Sequence, residues 1–215
     1  MSDPVKRRPY DSSRRQEQAR LSRARVLAAA RRRFLDEGYA ATALPTVAAD
    51  AGVSVESVYK AFRNKAGVLK AVFDVAIAGD DEPVAIMDRD WVAAIRAEPD
   101  VAVKLRLYSD HLVASMPRTA PILLLARSAA GLDADVAAVW QQLQDERLRG
   151  MTAFATELTA SGQLPRTTDE VRDILWTLNS VHIYELLVLE RGWSVERYGS
   201  FVAEALVAAL VPARR

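Results

Sequence analysis

Residues 42–69 hold two short apolar-patterned segments separated by only three residues, Gly52, Val53 and Ser54, and no other feature constrains the chain as tightly. A helix that must end and turn sharply within about three residues needs a position that tolerates positive φ, and Gly52 supplies it without a Cβ clash. Ser54 is of the type, and in the place, expected of an N-cap for a second helix over Val55–Phe62. Upstream, Thr42 can cap the first helix, with Pro45 inside its first turn, where a missing N–H costs little. Val47, Ala48, Ala51, Val53, Val58 and Phe62 then fall on one apolar patch. Val55, Glu56, Ser57, Tyr59 and Lys60 are left facing outward, followed by Arg63 and Lys65. Short polar groups on a helix can reach base edges in a major groove, and neighbouring cations can meet phosphates. The competing reading is an ordinary pair of core helices with a solvated face.

Gly38-Tyr39-Ala40-Ala41-Thr42, Val47-Ala48, Ala51-Gly52-Val53-Ser54, Val58-Tyr59, Phe62 and Lys65 through Leu69 resemble the N-terminal signature of the tetracycline-repressor-like (TetR) family, over about residues 20–75. The resemblance implies a dimeric, all-helical, one-component transcription regulator with a DNA-binding domain in front of a variable ligand-binding domain. It assigns phosphate contacts to Tyr59 and Lys65, and gives the helix after the reader the task of linking it to the body. On this reading the DNA contacts are Thr42, Ser54, Val55, Glu56, Ser57, Tyr59, Lys60 and Lys65. The family commonly has a small residue where Glu56 stands and often a His where Ala61 stands; an acidic side chain in the groove prefers cytosine amino groups.

Net charge is only +1, but its distribution is uneven. Residues 1–70 carry 15 Lys and Arg against 7 Asp and Glu, a balance of +8, which leaves 14 against 21, or −7, for the rest. A basic head on an acidic body suits a chain that meets phosphates at one end. Without a cysteine there is no disulfide scaffold or thiolate zinc site. No stretch approaches the roughly 18 apolar residues of a membrane span, and no signal-peptide pattern opens the chain, so a cytoplasmic protein with no membrane partner is expected.

Residues 1–15 lack periodicity and read as a basic arm, in which Lys6, Arg7, Arg8, Arg14 and Arg15 could track DNA or simply be solvated. A DNA-binding domain is expected over residues 16–78, with flanking helices at about Gln16–Glu37 and Ala66–Ala78. An effector-binding and dimerisation domain follows over 79–215, opened by an acidic linker at 79–90. Its periodicity predicts helices over Trp91–Glu98, Val101–Met116, Thr119–Ala130 and about 133–161. Two more, at about 169–191 and 194–211, read as a hairpin that in the family meets its twofold mate as a four-helix bundle, making the homodimer.

Arg147 falls on the apolar stripe Val136, Trp140, Leu143, Met151, Phe154 and Leu158. A guanidinium there must find a partner or leave the stripe, because an unpaired buried charge costs several kcal/mol. It is either the anchor of an anionic effector or a structural group, paired with a carboxylate such as Asp110 or snorkelling outward. Tyr108, His111, Met116, Trp140, Arg147, Met151, Trp176, Asn179 and Ser180 are the candidate effector-pocket residues, core packing being the alternative for the apolar ones. Asn179 and Ser180 could equally set specificity at a dimer seam or bond within the core.

No catalytic residues, metal ligands or cofactor are expected. Nucleophile elbow, phosphate-cradling glycine loop, HExxH pair and Glu-x-x-His repeats are all missing from the sequence. The reading reached is an all-α, ligand-responsive repressor that binds a palindromic operator as a homodimer, with double-stranded DNA and a small-molecule effector as partners. The alternatives are a helical adaptor or, less favoured, an enzyme acting on a small molecule.

Overall fold

The computed structural model describes residues 12–82 and 84–212, and among these every regular element is helical. The chain divides into two compact units, Met1–Val68 and Leu69–Arg215. The division falls inside helix α4 (Lys65–Ala78), ten residues before the end of that helix, where the sequence places its domain boundary.

The first unit is built from α1 (Ser12–Glu37), α2 (Leu44–Ala51), α3 (Val55–Phe62) and the first turn of α4. Val26, Leu27, Ala30 and Phe34 recur at helical spacing on α1 and are all buried. Together with Val47, Ala48 and Ala51 of α2 and Val58 and Phe62 of α3, which are also buried, they make up the core of this unit, where each large apolar side chain contributes about 1.5–3 kcal/mol. Polar groups add a second tie: Arg33 and Arg32 both donate to Asp50, at 2.7 and 2.8 Å, joining α1 to the last turn of α2. These arginines hold the Asp50 carboxyl below its ordinary pKa, chiefly through the Arg33 hydrogen bond. Helix α1 begins at Ser12, so the end of the predicted arm is helical; Lys6, Arg7 and Arg8 lie outside the described residues.

The second unit contains the rest of α4, then α5 (Asp90–Ala97), α6 (Val101–Ala129), α7 (Ala134–Ala160), α8 (Thr168–Leu178), α9 (Val181–Tyr184) and α10 (Val195–Leu210). The core is formed by Leu105 and Ala120 of α6, Leu158 of α7, Leu175 of α8, and Tyr198, Leu206 and Leu210 of α10. Helix α6 is one element where two were expected, because Pro117 and Pro121 stand inside it. An interior proline costs about 3 kcal/mol. Here Met116, Ala120 and Ile122 are buried beside the two prolines, while Pro117 is exposed, where a freed carbonyl can meet water.

The predicted helix over 169–191 is also corrected, in the opposite sense. It breaks after Leu178, where Asn179 ends α8 and Ser180 caps α9 by accepting from the His182 amide at 3.2 Å. The chain then passes into a π-helical turn, Glu185–Glu190, which closes with the Arg191 amide donating to the Leu186 carbonyl. The N-cap of α8 is Thr167, two residues before the expected start at about 169: its hydroxyl accepts from the Glu170 amide while the Glu170 carboxylate accepts from the Thr167 amide. Reciprocal satisfaction of two orphan donors makes that the better start. The predicted linker at 79–90 is partly ordered by Arg89, which donates to Asp80 at 2.5 and 2.9 Å and to the Val84 carbonyl, and it holds a 3-10 turn at Ile86–Asp88.

Two glycines mark where backbones approach too closely for a side chain. A Cβ on Gly67 would lie 2.0 Å from the Phe62 carbonyl oxygen, and one on Gly199 of α10 would lie 2.2 Å from Val113 Cγ2 on α6. Neither neighbour can swing aside, one being backbone and the other a β-branched side chain stiff at χ1. We expect Gly199→Ala to destabilise the protein by about 1–3 kcal/mol, against a helix-propensity gain of about 1 kcal/mol. Gly67→Ala is expected to cost at least as much. Denaturant titration checks both, and an unchanged midpoint for either would show that the contact relaxes freely.

Candidate nucleic-acid interface and cavity

The turn between α2 and α3 closes with two backbone bonds. The Val53 amide donates to the Ala48 carbonyl at 3.0 Å and the Gly52 amide to the Ala49 carbonyl at 3.1 Å, with Gly52 at φ 65°. This paired closure of a helix end around a left-handed glycine is a Schellman motif. Ser54 then caps α3, its Oγ accepting from the Ser57 amide at 3.2 Å and lying 3.0 Å from the Ser57 hydroxyl.

With Val58 and Phe62 facing the core, α3 shows solvent the opposite face. Ser54, Glu56, Ser57, Tyr59 and Lys60 are exposed, and Val55 is half-buried. Of the eight sequence-predicted contacts, these six therefore share one accessible surface. Thr42 does not join them: its side chain is only 1% exposed and its hydroxyl donates to the Gly38 carbonyl at 2.8 Å. Nor does it cap α2, whose N-cap is Ala43 with no side-chain bond; a hydroxyl committed to the turn behind it cannot also serve the helix ahead.

Lys65, read from the resemblance as a phosphate contact, has a structural task here. Its ammonium donates to the carbonyls of Tyr39, Thr42 and Ala40 at 2.8, 3.1 and 3.4 Å and sits 4.2 Å above the Tyr39 ring. Three donors on three acceptors leave none over. Lys65 thus fastens the loop from α1 to α2 onto the start of α4. Between α3 and α4, Arg63 takes φ 71° and the Asn64 amide donates to the Phe62 carbonyl at 2.9 Å, a three-residue γ-turn of the strained hand. Asn64 Oδ1 in turn accepts from the Gly67 amide at 2.8 Å and starts the next helix. Nothing in the apolar periodicity announces this turn.

The second unit contains a partly open cavity of about 570 Å³. Of the predicted pocket residues, Tyr108, His111 and Met116 reach it from α6, Trp140, Arg147 and Met151 from α7, and Asn179 and Ser180 from the break between α8 and α9. Trp176 does not line it; it stacks beneath Arg147, 3.7 Å from guanidinium carbon to ring centre. Sequence reasoning did not place Phe73 and Ile77 of α4 or Ile86 and Met87 of the 3-10 turn in the wall. The last two stand in the segment read as a linker, where the apolar pair Ile86-Met87 was the available signal.

Polar groups in this cavity are few. Trp91 stacks on His111, centroids 3.6 Å apart, and burial with the nearby Arg118 charge lowers the imidazole pKa to about 4, so His111 is neutral at physiological pH. The Tyr108 hydroxyl accepts from the Asn179 side-chain Nδ2 and donates to Met151 Sδ at 3.5 Å. Arg147 has no carboxylate; the suggested pairing with Asp110 does not occur, and Asp110 is exposed. The guanidinium donates to the Trp176 carbonyl and, at 3.4 Å, to Gln144 Oε1. The Trp176 carbonyl is free to accept because the chain breaks there: the Ser180 amide bonds to Thr177 instead. Burial pulls the Arg147 pKa down to about 10, leaving it charged at neutral pH. Among the described residues no group of His, Asp or Glu could hold a metal ion, and no helix is long and apolar enough to cross a membrane.

Comparison with known proteins points the same way as the first unit's geometry. Residues 26–72 match the family described as bacterial regulatory proteins, tetR family. No curated protein matches the sequence. Among solved structures, the chain is similar to the transcriptional regulator FadR from Bacillus subtilis in complex with stearoyl-CoA (TM-score 0.68, 17% identity, covering 86% of this chain and 98% of that one). It is also similar to a proposed transcriptional regulator from Saccharomonospora viridis in complex with choline (TM-score 0.65, 16% identity, 89% and 98% covered). A third is a TetR transcription regulator from Haloarcula marismortui (TM-score 0.62, 18% identity, 88% and 98% covered). Residues 26–72 are a DNA-binding domain of the tetR family, and the chain as a whole folds as TetR-family transcriptional regulators do.

Proposed function

We propose that the protein is a ligand-responsive transcriptional repressor, acting in the cytoplasm as a homodimer on a palindromic operator and catalysing no reaction. The observation that carries this reading is the exposed face of α3, where Glu56, Ser57, Tyr59 and Lys60 project from a helix held at both ends and buried behind. An eight-residue helix with that surface fits a major groove about 12 Å wide. Two copies related by a twofold axis would read half-sites one helical turn apart, about 34–36 Å, or a multiple of it.

Support for the dimer comes from the π-helical turn and α10, where Leu186, Leu189 and Phe201 are exposed and Trp193, in the turn between them, packs edge-on to Phe201. Large apolar side chains left bare on consecutive elements are the surface a symmetric mate would cover. The effector site is the cavity of the second unit, with α4 as the element that carries its state toward the reader: Phe73 and Ile77 line the cavity, and the same helix starts at Lys65. An effector releases DNA only to the extent that it prefers the conformation with displaced readers; turning 99:1 into 1:99 takes roughly 5.5 kcal/mol of such preference. The homologues bound to stearoyl-CoA and choline support a ligand-holding body without naming this chain's ligand.

Retardation of DNA flanking the protein's own gene, at physiological salt, tests the function. A protein that shifts no such fragment while remaining dimeric would favour the adaptor reading. Lys60→Ala should weaken operator binding by about ten-fold with stability changed by less than about 0.5 kcal/mol, because its side chain is exposed. Lys65→Met should behave differently, lowering stability by about 1–3 kcal/mol as its carbonyl partners lose a charged donor. Thermal melts and anisotropy titrations separate the two; equal stability of the Lys65 variant and wild type would return Lys65 to the phosphate list. Leu186→Asp with Leu189→Asp should shift the protein to monomer in sedimentation, and a persisting dimer would place the seam elsewhere.

A further inference from the structure

The charges around the cavity do not balance locally. Three carboxylates reach its wall, and each is already paired with a cation: Asp74 and Glu146 with Lys70 at 2.6 and 3.1 Å, and Glu157 with Lys104, with Arg96 at 3.8 Å. Of the cations in the wall without a carboxylate partner, Arg149 is exposed to solvent, whereas Arg147 is partly buried. Its two hydrogen bonds go to neutral oxygens, and its Nε is buried with nothing to donate to. Of five N–H groups on a guanidinium, three are therefore unspent. The ring of Trp176 beneath and the Trp176 carbonyl at one edge hold the group in place, which is the condition for a preorganised anion receptor. Close by, the phenol of Tyr198 is fully buried and also without a partner.

We infer that the cavity takes an amphiphilic anion, an apolar body with one carboxylate that docks on Arg147 while the body lies among Trp91, Trp140, Leu143 and Phe154. This rests on the reading of the cavity as the effector site and adds the chemical class. A cationic ligand would meet Arg147 with no carboxylate free to offset it, and a neutral one would leave a buried guanidinium uncompensated. His111 cannot substitute as the anion's partner, since it is uncharged and stacked on Trp91. Because Arg147 also satisfies the Trp176 carbonyl at the end of α8, an anion bound there is felt directly at the break that leads into α9.

Calorimetric titration of the full-length protein with octanoate, octanol and octyltrimethylammonium tests the inference. The three share one tail, so octanol reports whether the cavity binds apolar molecules at all, and octanoate reports the charge preference. Octanoate is expected to bind about ten-fold or more tighter than octanol, the worth of hydrogen bonds to a charged group, and the ammonium weaker than both. Arg147→Met should abolish the octanoate advantage while leaving octanol binding within about two-fold, and Arg147→Lys should retain part of it. Equal binding of octanoate and octanol by the wild-type protein, or tighter binding of the ammonium, overturns the anionic class and leaves the effector cavity standing. Failure of all three to bind overturns both.

Discussion

Burial of Val58 and Phe62, one turn apart on α3, decides which way that helix faces, and the regulatory reading depends on that direction. The two side chains are 1% and 6% exposed, so rotating α3 to hide Tyr59 and Lys60 would expose both and forfeit about 3–6 kcal/mol. The Schellman closure at Gly52 and the Ser54 cap set where the helix begins; the γ-turn at Arg63 and the contact of Gly67 with the Phe62 carbonyl set where it ends. A helix of eight residues has little stability of its own, and here packing and end constraints supply it. The strained φ at Arg63 is tolerated because α4 must start within three residues of Phe62.

A different constraint governs the second unit. Its core is apolar almost throughout, yet α8 stops at Asn179 and frees the carbonyl of Trp176, to which Arg147 donates from the facing helix. One arginine thus serves as helix cap, as stacking partner of an indole and as a partly buried charge in the cavity wall that no carboxylate offsets. The physical cost of keeping a cation there, visible in its lowered pKa, is hard to explain by packing alone, since a methionine would fill the same stripe.

Much of the first unit was legible in the sequence because local chemistry determined it. Gly52, Ser54 and the i, i+4 pair Val58 and Phe62 each carry a short-range signal, and all agree. Thr42 was misread as the cap of α2, and the structural bonds of Lys65 were missed, because both side chains reach backbone carbonyls that periodicity does not track, those of Gly38 and of the loop around Tyr39. In the second unit the prolines of α6 argued for two helices, and tertiary burial of Met116, Ala120 and Ile122 overrode them. Asn179 and Ser180 fell inside a continuous helix expected over about 169–191, although both are cap-forming types; their effect was hidden by the apolar run on either side. The pocket residues were recognisable by aromatic and soft character, whereas Ile86 and Met87 were hidden by an acidic context.

The chain contains no cysteine, so a single thiol can be introduced at Ser57, on the exposed face of α3, and loaded with an iron chelate that cleaves DNA within its reach. Mapping the cuts on the bound operator measures directly where that face lies. Two foci, symmetric about the operator centre and about 34–36 Å apart or a multiple of it, are the predicted result. Cuts scattered evenly along the duplex, or a single focus with no symmetric mate, would contradict the account.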